Sequence, residues 1–467
     1  MGVRSAQGVS RRLAEFVAGT AEARVPEAAK AAAARSLLDA VGVSLAATGL
    51  GEGTAAFTDL VRAEAGRGVS TLLWDRTRAP AAAAALANGA LAHALDFEDA
   101  VDGLPVHPNA QVVPAALALA EEHDACGAAL LASVAIGSDV ACRVAAVAGE
   151  RMAERGWYPP PLAGAIGATV AGAFLAGLAA DEVVDALSLV VSQATASGEV
   201  KHSPDGVIRG IRDAFAAHAA VRAVQLAGRG VRGFAAPLEG EAGFLAAYAG
   251  ADVDAGALLD GLGEDFGGTR VAFKPWPSCR GTHAFIAAAL RLRAEADLAA
   301  VEAIELVGAP VNRMLAEPLM AKRAPRTAID AKFSLPFTVA LALVDGAVEL
   351  ASFAPDRLGR PEVLAVARKV TFHPEPTWAT PARMTSGRLT LRYADGRQRT
   401  LEIIRPPGGP DAPISTGALV AKFVDCAAHA AHPPADPEHL AARLLDIGSA
   451  PSVRDLFAPA TATTGSW

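Results

Sequence analysis

Apolar residues run through this chain in long Ala-rich stretches whose spacing is helical rather than alternating. Between Gln7 and about Phe266, the stretches 26–47, 77–95, 114–122, 127–148, 163–178, 180–195, 211–227 and 255–262 are separated by Gly, Pro and Asp breaks, and each predicts a helix. Beyond Thr269 the texture changes. β-Branched runs at 303–307, 369–372, 388–393 and 399–404 read as strands, and Asp395-Gly396 joins the last two as a hairpin turn. After Pro406-Pro-Gly-Gly-Pro410 helical patterning returns at 416–431 and 437–445, and 461–467 reads as a frayed tail. The expected fold is mainly α: a large all-α helical domain from 1–268, completed by 406–467, plus a smaller α+β domain at 269–405.

Composition sharpens this picture. A chain of 467 residues exceeds what one core usually serves, so two domains are expected. Hydrophobic residues make up 52% but aromatics only 5%, so Ala, Val and Leu do the packing, which suits closely approaching helices. Residues 162–180 are uncharged and long enough to span a bilayer, but they are mostly small, lack flanking aromatic and basic anchors, and run into Asp181-Glu182; a buried central helix is expected.

A net charge of -8 leaves no basic surface for phosphates, so no nucleic-acid partner is expected. Cys126, Cys142, Cys279 and Cys426 are scattered without C-x-x-C or Cys/His spacing, which fits a reducing cytoplasm and no structural zinc. Met1 to Arg12 contains no apolar signal-like run, and with no anchored span the chain is expected to be cytoplasmic and free of membrane. There is no Gly-rich phosphate loop, so no nucleotide cofactor is indicated.

Three segments place ionisable groups in the apolar background. The first is His93-Ala-Leu-Asp96-Phe-Glu-Asp99, followed after Gly103-Leu104-Pro105 by His107-Pro108. If the preceding helix continues, His93, Asp96 and Asp99 share a face, and the break folds His107 back toward them. An Asp beside a His orients the imidazole and raises its basicity. The plain alternative is an Asp that caps the next element and a His bonded to a carbonyl.

The second segment is Lys274-Pro-Trp-Pro-Ser-Cys279-Arg280-Gly-Thr-His283, whose rigid start can project Lys274, Cys279 and Arg280 into a cleft between domains. Cations near Cys279 would favour its thiolate. The third is Asp205-Gly-Val-Ile-Arg209-Gly-Ile-Arg212-Asp213, basic residues at a loop-to-helix junction suited to anions. Tyr158, before a triple proline, can present a hydroxyl to the same region. Taken together these groups supply a base, a second acid or base, and cations, as deprotonation beside a carboxylate requires. An Asp-rich Mg²⁺ site of the terpene synthase kind is disfavoured by the lack of a second metal motif and of aromatic richness.

These segments, with Gly137-Ser-Asp-Val-Ala-Cys-Arg143, Gly164-Ala-Ile-Gly-Ala168, Ser192-Gln193-Ala194 and Lys332-Phe-Ser-Leu-Pro-Phe337, resemble in the same order the MmgE/PrpD family over nearly the whole chain. That family includes 2-methylcitrate dehydratase, cis-aconitate decarboxylase and iminodisuccinate epimerase. The resemblance implies that the smaller domain is a lid over a cleft, that the protein is a homodimer, and that no metal or organic cofactor is used. It retains Asp96, His107 and Lys274. It departs at Ala100 for a Thr, Tyr158 for a His, Arg209 for a Lys, Cys279 for a His and Phe337 for a Tyr. Arg in place of Lys keeps a cation but loses an accessible proton donor, and Phe removes a hydroxyl.

The expected function is a cofactor-independent lyase, a dehydratase or decarboxylase, acting on a small carboxylate-bearing substrate through a stabilised carbanion. Lys274, His107, Tyr158 and Cys279 are the acid–base candidates, Asp96 positions His107, and Arg209, Arg280 and His283 bind substrate. The alternatives are an epimerase using Tyr158 and Lys274 as two bases, a repurposed biosynthetic enzyme, or a non-catalytic relative.

Overall fold

The computed structural model describes residues 8–457 except 65, 203–205 and 295; the expected tail at 461–467 and the candidate Asp205 lie outside the described residues. The chain is mainly α with some β. Its first part forms α1 (Val9–Gly19), α2 (Glu27–Leu50), α3 (Thr54–Glu64), α4 (Ala81–Ala92), α5 (Pro108–Glu122), α6 (Gly127–Glu154), α7 (Pro159–Leu175), α8 (Ala180–Val191), the single turn α9 (Ile208–Ile211), α10 (Asp213–Ala227) and α11 (Phe244–Tyr248).

Small residues decide how these helices pack. A Cβ on Gly137 of α6 would lie 2.7 Å from the Gly167 carbonyl of α7, and one on Gly167 would lie 2.4 Å from the Gly137 carbonyl, so only glycine lets the two backbones touch there. α7 is buried from Pro159 to Ala173, as expected of a central helix, and its three opening prolines occupy a first turn whose N–H groups have no intrahelical acceptor. α2 and α6 are long and apolar enough to cross a membrane by length and composition, yet both are mostly packed inside the fold.

Several boundaries differ from the sequence expectation. The 77–95 stretch is helical only over α4, because Arg78–Ala79 (β2) pairs with Ser70–Thr71 (β1) and Pro80 then starts the helix. α5 begins at Pro108 rather than Pro114. Pro108 takes the first helical position, where its missing N–H costs nothing, and Pro114 is carried inside the helix by burial on all sides. The 211–227 stretch is split at Arg212, and 255–262 holds only a 3₁₀ turn, Ala255–Leu259.

After Ala100–Val101 (β3) has paired antiparallel with Val271–Ala272 (β4), the chain builds α12 (His283–Arg293), β5 (Val301–Gly308), α13 (Leu319–Arg323), α14 (Ala328–Lys332), α15 (Leu335–Asp345), α16 (Pro361–Ala367), β6 (Val370–Pro374), β7 (Gly387–Tyr393) and β8 (Gln398–Ile403). The sheet order is β6-β5-β7-β8, with β5 and β6 parallel and the other pairs antiparallel. The β7–β8 hairpin turns at Gly396, whose φ of 82° is the conformation a D-G turn supplies. Gly387, Leu389, Leu391 and Tyr393 alternate as the buried side of β7.

Two large apolar clusters result. One gathers the helices up to Phe273 together with Leu419, Phe423, Cys426 and Leu440 from α17 (Thr416–Ala428) and α18 (Pro437–Leu445). The other is built around Phe285, Ile304, Leu306, Phe337, Leu389 and Leu391. The short β3–β4 ladder binds the loop after α4 to the segment leading into the second cluster.

Candidate active site

The loop between α4 and α5 carries the chemistry. Helix α4 stops at Ala92, the Asp96 N–H turns back to the His93 carbonyl at 2.9 Å, and Asp96 itself is left-handed at φ 49°. The backbone then passes through β3, turns at Gly103, and returns so that His107 precedes α5 with its ring 5.1 Å from that of His93. His93, Asp96 and Asp99 therefore do not share a helical face as expected; a turn, not a helix, brings them together.

Because β4 is zipped to β3, Lys274 lies two residues beyond Ala272 and drops into this loop. Its Nζ is 2.8 Å from Asp96 Oδ1, 3.0 Å from the Asp96 carbonyl and 3.6 Å from Glu98 Oε1, all fully buried. Glu98 Oε1 in turn lies 3.0 Å from His107 Nδ1 and 2.5 Å from His93 Nδ1, and His107 Nδ1 also donates to the Asp99 carbonyl at 2.8 Å. The sequence reading paired Asp96 with His107. The structure corrects this: Asp96 pairs with Lys274, and Glu98 holds His107. The i, i+3 spacing skips Glu98, although it stands in the same motif.

The electrostatics follow from burial and pairing. Burial opposes the charge on Lys274, but Asp96 and Glu98 outweigh it and hold the ammonium above its ordinary range. Burial also opposes charge on His107, yet Glu98 raises it above 6.5. Burial alone would raise Glu98, but His93, Lys274 and His107 hold it well below the usual carboxylate range. Burial, with the nearby Arg212 next, lowers His93 from its ordinary value against the opposing pull of Glu98. Asp99, buried and bonded by Asn109, is pushed up to about 7 by desolvation. His107 is 18% exposed whereas Glu98 is fully covered, so His107 is the member of this pair that a substrate can meet.

His93, Asp96, Glu98 and His107 offer donor atoms within 4.8 Å of one another, a set of the kind that holds divalent metals. Here the Lys274 ammonium supplies the positive charge between the two carboxylates.

Other candidates are placed as follows. Cys279 lies beside this cluster, but burial, with Asp96 next, pushes its thiol up to about 11 against the pull of Lys274 and Arg209, so the expected thiolate is not favoured. Tyr158 is buried, and its hydroxyl accepts from Arg212 at 3.3 Å; the same guanidinium lies 4.5 Å over its ring. Arg209 stacks 3.4 Å over Phe333, and its Nε and one terminal nitrogen have no partner among the described residues; Arg212 keeps two such nitrogens. Arg209 also lines a cavity of about 560 Å³ with Lys201, His202 and Lys322, whereas Lys274 and His107 do not line it. Phe337, where the resemblance expects Tyr, is buried in the second cluster against Phe353.

Arg280 and His283 do not face the cluster as substrate ligands. Arg280 makes a bidentate pair with Asp102 at 2.7 and 2.8 Å and donates to the carbonyls of Pro406 and Pro407. His283 is spent on the Ser278 carbonyl at 3.1 Å and on Arg280. Arg280 fastens the crossing of 273–283 with the returning 406–412 segment, where a Cβ on Gly408 would lie 2.1 Å from the Phe273 carbonyl, and His283 braces Arg280 from within 273–283. Arg280→Ala is therefore expected to cost about 1–3 kcal/mol in urea unfolding and to leave KM for any turned-over carboxylate within about twofold. A selective rise in KM at unchanged stability would restore it as a substrate ligand.

Comparison with known proteins was consistent along the chain. The MmgE/PrpD N-terminal domain matches residues 11–255, and the MmgE/PrpD C-terminal domain matches residues 276–446. The chain is 25% identical over 375 residues to the cis-aconitate decarboxylase-like protein oryM of Aspergillus oryzae, covering 76% of this chain and 77% of that protein. It is 27% identical over 374 residues to the cis-aconitate decarboxylase of Homo sapiens, covering 76% and 75%, and 27% identical over 356 residues to that of Mus musculus, covering 73% and 71%. With the loop of His93 to His107 inside the first match and the sheet inside the second, the chain belongs to the MmgE/PrpD family.

Proposed function

We propose that this protein is a cofactor-independent lyase of the decarboxylase type, acting on a small unsaturated polycarboxylate in a cleft that the second apolar cluster covers as a lid. One observation carries the choice: His107, the partly exposed group, is paired with buried Glu98, which favours its protonated form, and the Lys274 ammonium stands buried behind it between Asp96 and Glu98. A site charged with protons is set to deliver one to a carbanion rather than to abstract one. The C–C bond to one carboxylate breaks, CO₂ leaves, and the electron pair stays on the substrate, spread into a neighbouring unsaturated carboxylate. The His107 proton then forms the new C–H bond, and the neutral imidazole is recharged from water. Unpaired nitrogens on Arg209 and Arg212 are the cations left over to hold the remaining carboxylates. The names of the relatives point to cis-aconitate as the first compound to try.

An epimerase using Lys274 and Tyr158 as opposed bases fits less well, since Lys274 keeps its proton and the Tyr158 hydroxyl is bonded to Arg212. The test is NMR in D₂O with cis-aconitate, citrate, 2-methylcitrate and iminodisuccinate. The expected result is loss of one carboxylate as CO₂ with a single deuterium in the product. Turnover should fall as pH rises through the His107 ionisation, above 6.5, because the donor must be protonated. Deuterium exchange without loss of CO₂ or water would turn the reading to epimerisation.

A further inference from the structure

Three consecutive carbonyls of the loop each accept a hydrogen bond from a lysine, and the lysines come from three separate parts of the chain. Lys332, at the end of α14, donates to the Leu95 carbonyl at 2.8 Å. Lys274 donates to that of Asp96 at 3.0 Å. Lys422, on α17, donates to that of Phe97 at 2.7 Å, pairs with buried Asp39 at 2.7 Å and lies 3.8 Å over the Phe97 ring. Charge-assisted bonds to successive peptide oxygens fix the path of the backbone more tightly than packing does. They converge where Asp96 adopts its left-handed turn, which a non-glycine residue holds only when its surroundings over-determine it.

Only Lys274 reaches the carboxylates of the acid–base cluster. We propose that Lys332 and Lys422 are positioning residues that act through the backbone on either side of Asp96, aiming Asp96 at Lys274 and Glu98 at His107. Lys332 also joins the second apolar cluster to the site, since its own carbonyl accepts the Cys279 N–H at 3.0 Å. Its placement is costly for stability alone. Among the described residues it has no carboxylate in ion-pair contact, and burial depresses its ammonium to about 8. A residue serving only the core would be more stable as Met or Leu. A buried, carbonyl-bound ammonium is explained by the loop it holds.

The role rests on the acid–base reading of His107, and the test reads the imidazole itself, so a failed substrate screen and a failed clamp give different results. The His107 ring is titrated by NMR in the wild type, with its signals assigned by their loss in His107→Asn, and then in Lys332→Met and in the double variant Lys422→Met/Asp39→Asn, which leaves no buried carboxylate unpaired. The expected result is a His107 midpoint above 6.5 in the wild type, lowered by about one pH unit or more in both variants as Glu98 swings away. A midpoint unchanged in folded variants would overturn the proposal. Failure of both variants to fold would also overturn it, because the lysines would then be holding the fold and not the loop.

Discussion

Lys274→Met is expected to be both unstable and inactive, and the two losses should separate. The ammonium is fully buried, 2.8 Å from Asp96 and 3.6 Å from Glu98. Removing it leaves the Asp96 carboxylate uncompensated in a dry site, which costs about 3–5 kcal/mol. On the proposed mechanism it also removes the buried cation behind the acid–base pair, an expected loss of about 10²–10³ in kcat. The double variant Lys274→Met/Asp96→Asn removes the orphaned charge as well. Its urea midpoint should return most of the way to wild type while kcat stays at the low level of the single variant. Recovery of turnover in the double variant would mean that Lys274 serves only to neutralise Asp96.

His107→Ala should lower kcat about 10²-fold or more with KM nearly unchanged, since His107 is the only member of the Glu98–His107 pair that solvent or substrate can reach. Glu98→Gln gives the sharper reading. With the carboxylate gone, burial and Lys274 act on His107 against Asp96 alone, and its ionisation is expected to fall. A proton-donating imidazole then discharges at lower pH, so the falling limb of the kcat profile should move to lower pH while the maximum rate also drops. A limb that stays in place would assign it to another group, and wild-type turnover in His107→Ala would remove the residue from the reaction.

How much of this was legible in the residues can be seen at particular positions. The β7–β8 hairpin, the buried α7 and the return to helix after Pro410 follow from period, turn chemistry and the conformational limits of Pro and Gly, all local properties. The chemistry-bearing segments were equally visible, because a carboxylate or imidazole in an Ala-rich run stands out wherever it ends up. The ordered motifs identify the family on their own.

What local pattern did not contain was pairing. Asp96 and Glu98 sit two residues apart in one motif, and nothing in their spacing says which takes Lys274 and which takes His107. That was decided by a left-handed turn at Asp96 and a two-residue ladder to a segment some 170 positions away. Arg280 and His283 look like substrate ligands on residue type alone, yet Arg280 is taken by Asp102 and the 406–412 segment and His283 by the Ser278 carbonyl. The sequence by itself determined the main helices of the first domain, the β7–β8 hairpin and which side chains are able to do chemistry, since those depend on neighbours along the chain. Only the tertiary structure decided which charges neutralise one another, because the energy of a buried charge depends on what lies within a few ångströms of it in space.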